Sequence, residues 1–342
     1  MTEPTVCTWF YAERGGEESV YPQVGGRSSS PWFHAVYWRC VVDFFGASAR
    51  VNPGARHRLY TNEPGVPDVD GFDAGALLRR LGVETVVLPY ASRPPAGYFG
   101  AWANQFYVLD VAAHLAETLP ADDAVGLILD SDCVFTRPAG PLVEAARRHG
   151  ALTFDARIGP DEEQNGLTPR QMGRIYAELG GPPDGPVPTY VGGEIVAATR
   201  ATLAAITAEA QALWPEMRRR HRAGLPKFNE EAHLLSFVYH RLGLPVGTAD
   251  PFVDRIYTWF TASTVRPGHQ DLMIWHLPNE KKLGLRRLFR AVRDERSWFW
   301  ALDPGDAWRR RLGRTLGVPR RTPAKWARDV GRTVRAKVER PA

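Results

Sequence analysis

The chain has 342 residues, 44% hydrophobic and 24% charged, which excludes wholesale disorder and allows one large domain or two small ones. Its net charge of +5 is uneven: residues 286–342 hold 17 Lys/Arg against 6 Asp/Glu, a net of +11, which leaves −6 for residues 1–285. No apolar run approaches the ~20 residues of a membrane span. The start lacks the basic and apolar regions of a secretory signal. Three scattered cysteines, Cys7, Cys40 and Cys133, argue for reduced thiols in a cytosolic setting and against a disulfide framework or a zinc knuckle.

In chain order, Thr5–Phe10 reads as a short strand. Residues 31–45 carry aromatics and aliphatics at helical spacing, opened by Ser30-Pro31, a capping residue and a first-turn proline. Residues 56–60 form a second strand, stopped by Thr61-Asn62-Glu63-Pro64-Gly65. Residues 72–81 are helical, 84–88 make a third strand, and 100–119 a long helix ending at Pro120. Val125–Leu129 is a fourth strand. Strands alternating with helices predict a parallel sheet with right-handed crossovers.

Beyond residue 151 the pattern loosens. Residues 152–154 are strand-like. Residues 155–190 are rich in Gly and Pro, which suits a lid or binding loop, with a short helix opening at Thr168-Pro169. Strand character returns at 190–197. Helices are expected at 200–221 and 230–241, and a basic, proline-interrupted helical extension over 286–342.

The stretch GLILDSDCVF (126–135) puts Asp130 and Asp132 at the end of an apolar strand. Buried acids cost several kcal/mol unless paired, and the carboxyl end of a strand in an open α/β sheet is where ligands gather. Two chemistries use such a pair. Both acids can hold a divalent cation on a nucleotide diphosphate, with Mg²⁺ or Mn²⁺ taking one or two carboxylates plus phosphate oxygens. Alternatively, Asp130 is a phosphate-accepting nucleophile, as in haloacid-dehalogenase-like phosphatases. Those enzymes place the motif near the domain start, followed by a Gly-Asp with a further acid. Here a whole α/β unit precedes it, and Gly305-Asp306 has no second acid after it.

The apolar strand, Asp-x-Asp and Val-Phe after about 120 residues of α/β pattern resembles GT-A-fold glycosyltransferases. Residues 188–199 (PTYVGGEIVAAT) resemble the segment with the Gly-Gly pair of the retaining family 6 (blood-group A/B-like) enzymes, and 229–234 (NEEAHL) their Asp-Glu-Ser-His-Leu. Residues 275–282 (WHLPNEKK) resemble the His-x-x-Gly-x-x-Lys element of family 8 (glycogenin-like) enzymes, with Asn279 in place of the Gly.

The resemblance implies an α/β, GT-A-type domain over 1–285, with a nucleotide-binding half about 5–155 and an acceptor half about 156–285, plus the extension 286–342. It implies sugar transfer with retention from a nucleotide diphosphate-sugar, UDP-sugar first, to a glycan, lipid-linked or small-molecule acceptor, with Mn²⁺ or Mg²⁺. The implied metal set is Asp130, Asp132 and His276. Glu231 is the implied catalytic carboxylate and Glu230 its partner on the acceptor, although both also suit the first turn of a helix capped by Asn229. Implied donor contacts are Thr8, Phe10, Thr61, Asn104, Ser131 and Lys282, with Lys281 competing for the phosphate. Implied acceptor contacts are Gly192, Gly193, Glu194 and His233. The basic extension, with Trp298, Phe299, Trp300, Trp308 and Trp326, suits either a packing arm or peripheral contact with the inner membrane face, and nucleic acid is not expected. The alternatives are a nucleotidyltransferase, for which Ala12 to Glu18 lacks a lysine, and a non-catalytic scaffold.

Overall fold

The computed structural model describes residues 3–182, 184–259 and 263–338. Arg340 of the basic extension lies outside them.

A mostly parallel six-stranded sheet flanked by helices forms the body. Strand β1 (Thr5–Phe10) is central and almost wholly buried. Helix α1 (Pro31–Val51) starts where Ser30 Oγ accepts from Phe33 N at 3.2 Å, with Pro31 in the first turn. It runs six residues past the predicted end, because Ala47, Ser48 and Val51 are also buried. Strand β2 (Arg56–Thr61), helix α2 (Ala74–Arg80, capped by Asp73) and strand β3 (Val83–Val87) follow. The predicted helix 100–119 is divided. Trp102 adopts a left-handed conformation (φ +60°), Ala103–Phe106 form a 3₁₀ turn, and α3 (Tyr107–Thr118) begins only after it.

Strand β4 (Val125–Leu129) pairs in parallel with β1. The chain then turns through Asp130-Ser131-Asp132 into β5 (Cys133–Phe135), which leaves the main sheet. Helix α4 (Gly140–His149) and the two-residue β6 (Ala151–Leu152) come next. The Gly/Pro-rich stretch contains α5 (Pro169–Glu178). Its Thr168/Gln171 capping box and buried Met172, Ile175 and Tyr176 make it a packed element. Strand β7 (Ile195–Thr199) runs antiparallel beside β4, giving the order β3-β2-β1-β4-β7-β6. It is shorter than predicted: Tyr190 to Glu194 form a bridge and a turn ahead of it, so Gly192 and Gly193 lie outside the strand.

Helices α6 (Arg200–Arg222) and α7 (Glu231–Arg241) cover one face. The short β8 (Val253–Arg255) and β9 (Ile274–His276), not expected from sequence, build a second sheet of order β5-β9-β8. The basic extension is a packing arm over much of its length. Helix α8 (Gly284–Val292), α9 (Trp298–Ala301) and α10 (Asp306–Leu316) bury Leu288, Phe289, Phe299, Trp308, Leu312 and Leu316 in the same apolar cluster as β4 and β5. Of its predicted aromatic anchors, Phe299 and Trp308 are therefore unavailable, and only Trp326, on α11 (Pro323–Val338), is exposed. Among the described residues no helix is long and apolar enough to cross a membrane.

Candidate active site

The site is built where β4 ends. The turn after Leu129 is fixed by Asp130 N donating to Glu194 O (3.1 Å) and Cys133 N to Asp130 O (3.0 Å). Antiparallel pairing of β5 and β9 then sets Cys133 opposite His276, which brings the imidazole beside the acids. His276 Nε2 lies 3.4 Å from Asp132 Oδ2 and 3.6 Å from Asp130 Oδ2, and ligand atoms of all three residues lie within 4.8 Å of one another. Two carboxylates and one imidazole suit a hard divalent cation such as Mn²⁺ or Mg²⁺, and Asp130, 22% exposed, leaves the cluster open on one side. The donor set thus fits the cation that the resemblance implies.

Behind His276 stands Glu194. Its Oε1 lies 3.3 Å from His276 Nδ1, while both its oxygens accept from Arg255 (2.8 and 2.7 Å). The acid stands behind the ring at ion-pair distance, while Nε2 faces the aspartates. Glu194, expected to contact the acceptor, lines the cavity and is held there by the Arg255 fork beside the histidine.

The electrostatics divide the cluster. Burial opposes the charge of Asp132, but Lys281 and His276 hold it well below the usual carboxylate range. Lys281 Nζ donates to Asp132 Oδ2 directly. Burial and the neighbouring Asp132 push Asp130 up to about 6. Burial disfavours the imidazolium, yet Asp132 and Glu194 push His276 up to about 9. Glu194 is also desolvated, and Arg255 and His276 hold it low.

These residues line a cavity of about 180 Å³ together with Glu230 and Glu231. Both lie at the start of α7, with Glu230 at the cap position. Asn229 was expected there; its amide instead donates to Asn165 O (3.0 Å) and its Oδ1 accepts from Lys227 (2.9 Å). Glu230 accepts from the Tyr190 hydroxyl (2.7 Å) and from Asn165 Nδ2. Glu231 is reached by the Gln105 amide, assigned with its nitrogen 2.6 Å from Oε1 and 3.2 Å from Oε2. Burial, then Glu230 and Asp130, raises its pKa well above the ordinary value. Gly193 faces this carboxylate: a Cβ there would stand 2.5 Å from Glu231 Oε1.

Phe10, Asn104, Ser131, Gly193 and Lys281 also line the cavity. Phe10 stacks on Tyr37 (centroids 5.4 Å apart, planes 7° apart). Other expected contacts lie elsewhere. Thr8 Oγ1 donates to Leu129 O (2.8 Å) inside the sheet, and Thr61 Oγ1 accepts from Glu63 N (3.2 Å), so neither hydroxyl reaches the cavity. The Asn62 amide pairs with both backbone groups of Ala12 (2.7 and 3.0 Å), which ties the segments after β1 and β2 together. Lys282 donates to Val24 O (2.7 Å), away from Asp132. Gly192 is boxed in by Glu194 and Phe154 rather than facing the cavity. His233 has no exposed surface and sits behind Glu230, Nε2 to Oε1 3.6 Å, so it is not an acceptor contact.

Sequence reasoning missed Arg255, Tyr190, Asn165 and Tyr37. Arg255 follows Val-Asp in a run with no motif, and only its parallel pairing with His276 across β8 and β9 reveals it. Tyr37 sits in the helical pattern of α1 like any core aromatic.

No family model matches the chain, and no curated protein sequence does. Among solved structures it is similar to mouse xyloside xylosyltransferase 1 in apo form (10% identity, TM-score 0.43, covering 80% of this chain and 97% of that one). It is similar to the galactosyltransferase LgtC in complex with donor and acceptor sugar analogs (12%, TM-score 0.45, 94% and 99%). It is also similar to the bifunctional glycosyltransferase WbbM in apo form (10%, TM-score 0.49), covering 92% of this chain but only 51% of WbbM.

Proposed function

We propose that this chain is a GT-A-type glycosyltransferase, moving a sugar from a nucleotide diphosphate-sugar to an acceptor hydroxyl. The observation that carries this is the meeting of Asp130, Asp132 and His276 in one cavity with Glu230 and Glu231. Mn²⁺ or Mg²⁺ held by the first three would offset charge building on the departing diphosphate. Lys281, beside Asp132, adds positive charge for the same group. Glu194 and Arg255 keep His276 oriented. Glu231 is read as the carboxylate beneath the anomeric carbon, and retention follows from that role. Glu230, held by Tyr190 and Asn165, is read as the acceptor's partner.

A UDP-sugar donor and a glycan, lipid-linked or small-molecule acceptor follow from the resemblance. The nucleotidyltransferase alternative needs a free, basic loop after β1. Glu13 there is 3% exposed and accepts from Ser19 (3.0 Å), Tyr21 and Ser28, so that loop is pinned. Peripheral membrane contact, if made by the extension, falls to α11, where Trp326 and Arg328 are exposed.

The test is a thermal-shift screen of nucleotide-sugars with and without Mn²⁺, repeated on Asp132→Asn. Mn²⁺-dependent stabilisation by one sugar nucleotide, absent in the variant, is expected. A wild-type chain stabilised by none of them sinks the reading.

A further inference from the structure

Lys325, on α11, has no exposed surface. Its ammonium donates to both Glu280 oxygens (2.8 and 2.9 Å) and to Asp329 Oδ2 (2.6 Å). Asp329 also accepts from Arg287 (2.6 Å) and Arg321 (2.7 Å). Glu280 is equally buried and accepts besides from the Thr258 hydroxyl and Gly284 N (2.7 Å). Fully desolvated charges are expensive unless each has a partner, and removing one partner leaves the other stranded. A helix that served stability alone would dock through an apolar stripe. Instead α11 contributes no described residue to the apolar clusters, and Trp326 and Val334 on it are half exposed. Lys325 and Asp329 attach it through ion pairs.

The place of attachment matters. Glu280 immediately precedes Lys281, whose ammonium meets Asp132. The turn between β9 and Lys281 is a short ladder: Leu277 N donates to Asp132 O (3.1 Å), Glu280 N to Leu277 O (3.0 Å) and Leu283 N to Glu280 O (2.9 Å). Gly284 leaves the Glu280 carboxylate room that any side chain would take. Arg321 meanwhile donates to Thr258 O (2.6 Å), one residue from Tyr257 on the cavity wall. The ionic network therefore grips the backs of two segments whose fronts face the cavity.

We propose that Lys325 is a positioning residue of the site: by gripping Glu280 from the C-terminal helix, it fixes the 277–281 turn so that Lys281 is delivered onto Asp132. The basic extension is then part of the site's scaffold. The proposal rests on the sugar-transfer reading only for its catalytic meaning; the position of Lys281 is measurable without it.

The test compares the full-length wild type with Lys325→Met by hydrogen exchange and by acylation with a small anhydride. In the variant, amides of residues 277–284 should exchange at least ~10-fold faster while those of β1 to β4 keep their rates. Lys281 should acylate at least ~10-fold faster, and UDP with Mn²⁺ should bind ~10-fold or more weakly. A general loss of stability would raise exchange everywhere and would not single out this turn. Wild-type exchange in 277–284 together with wild-type acylation of Lys281 overturns the proposal. If Lys325→Met does not fold, the double variant Glu280→Gln/Lys325→Met removes both stranded charges. A folded double variant with a loosened turn supports the proposal, and one with wild-type rates overturns it. A wild type that binds no sugar nucleotide sinks sugar transfer, while the exchange and acylation results still decide the role of Lys325.

Discussion

Glu194 Oε1 lies 3.3 Å from His276 Nδ1 and is locked there by the Arg255 guanidinium. The ring therefore turns its other nitrogen to Asp130 and Asp132, across the boundary between the two sheets. Acids in this position behind a ligating histidine typically contribute 10–100-fold to metal affinity. Glu194→Gln, which keeps the size but loses the charge, should weaken Mn²⁺ binding by roughly that factor. Titration followed by electron paramagnetic resonance reads it directly. Unchanged affinity would remove Glu194 from the support of the site.

Gly193 gives a second handle. A methyl group there would press on Glu231 Oε1 and contact Ala232 Cβ at 3.4 Å. Gly193→Ala should cost about 1–3 kcal/mol of stability by overpacking, read from denaturant unfolding. It should lower turnover more than Mn²⁺ affinity, because the added methyl meets Glu231 and not the aspartates. A matched loss of both would mean that Glu231 and the aspartates are coupled.

Glu231 links stability and activity with opposite signs. Its folded-state pKa is raised by burial and by Glu230 and Asp130, so the fold favours the protonated acid. This group's contribution to stability is therefore greatest at low pH and falls as pH rises past the ordinary carboxylate range. Glu231→Gln removes that dependence and should raise the melting temperature at pH 8. Sugar transfer, if Glu231 has the role proposed, should fall at least ~10²-fold. A variant that is both less stable and fully active contradicts both halves.

His57 is a pH probe remote from the site. Its ring packs edge-on to Phe45 and lies 2.9 Å from Ser48 Oγ, and burial lowers its pKa from 6.5 to about 4. The fold holds the neutral ring. The unfolded chain takes up the proton first as pH falls, so stability is complete above about 6.5 and is lost progressively down to about 4. The loss is of order 3 kcal/mol. Urea unfolding at pH 7 and pH 4.5 should show it, and His57→Asn should flatten the slope by about that amount.

Local signals in the sequence located most of the scaffold. The Ser30-Pro31 start of α1, the Thr168/Gln171 box of α5 and the apolar run of β4 are decided within a few residues, and the structure has them. Misreadings arose where a local pattern was ambiguous. The left-handed Trp102 splits a helix that periodicity reads as continuous. Gly192 and Gly193 look like strand glycines but lie ahead of β7, with Gly193 in the turn that precedes it. In the site, the cluster of Asp130, Asp132 and His276 was legible because each residue sits in a recognisable segment. Arg255 and Asn165 were not, because nothing near them in sequence marks them, and Tyr190 lies in a recognisable segment that gives no sign of its contact with Glu230.

That an α/β sheet ends in two acids is readable locally, because strand and helix periods and a strand-end motif are written over neighbouring residues. Which partners those acids meet is settled by the packing of distant segments. Lys281 reaches Asp132 while Lys282 turns to Val24, Glu194 joins His276 and Arg255 on the cavity lining, and Thr8 closes on the Leu129 carbonyl. The Glu194–His276–Arg255 contacts depend on how β5, β9 and β8 pair, and that of Thr8 on how β1 pairs with β4. Contacts between residues far apart in the chain are fixed by packing and pairing, which no local window contains.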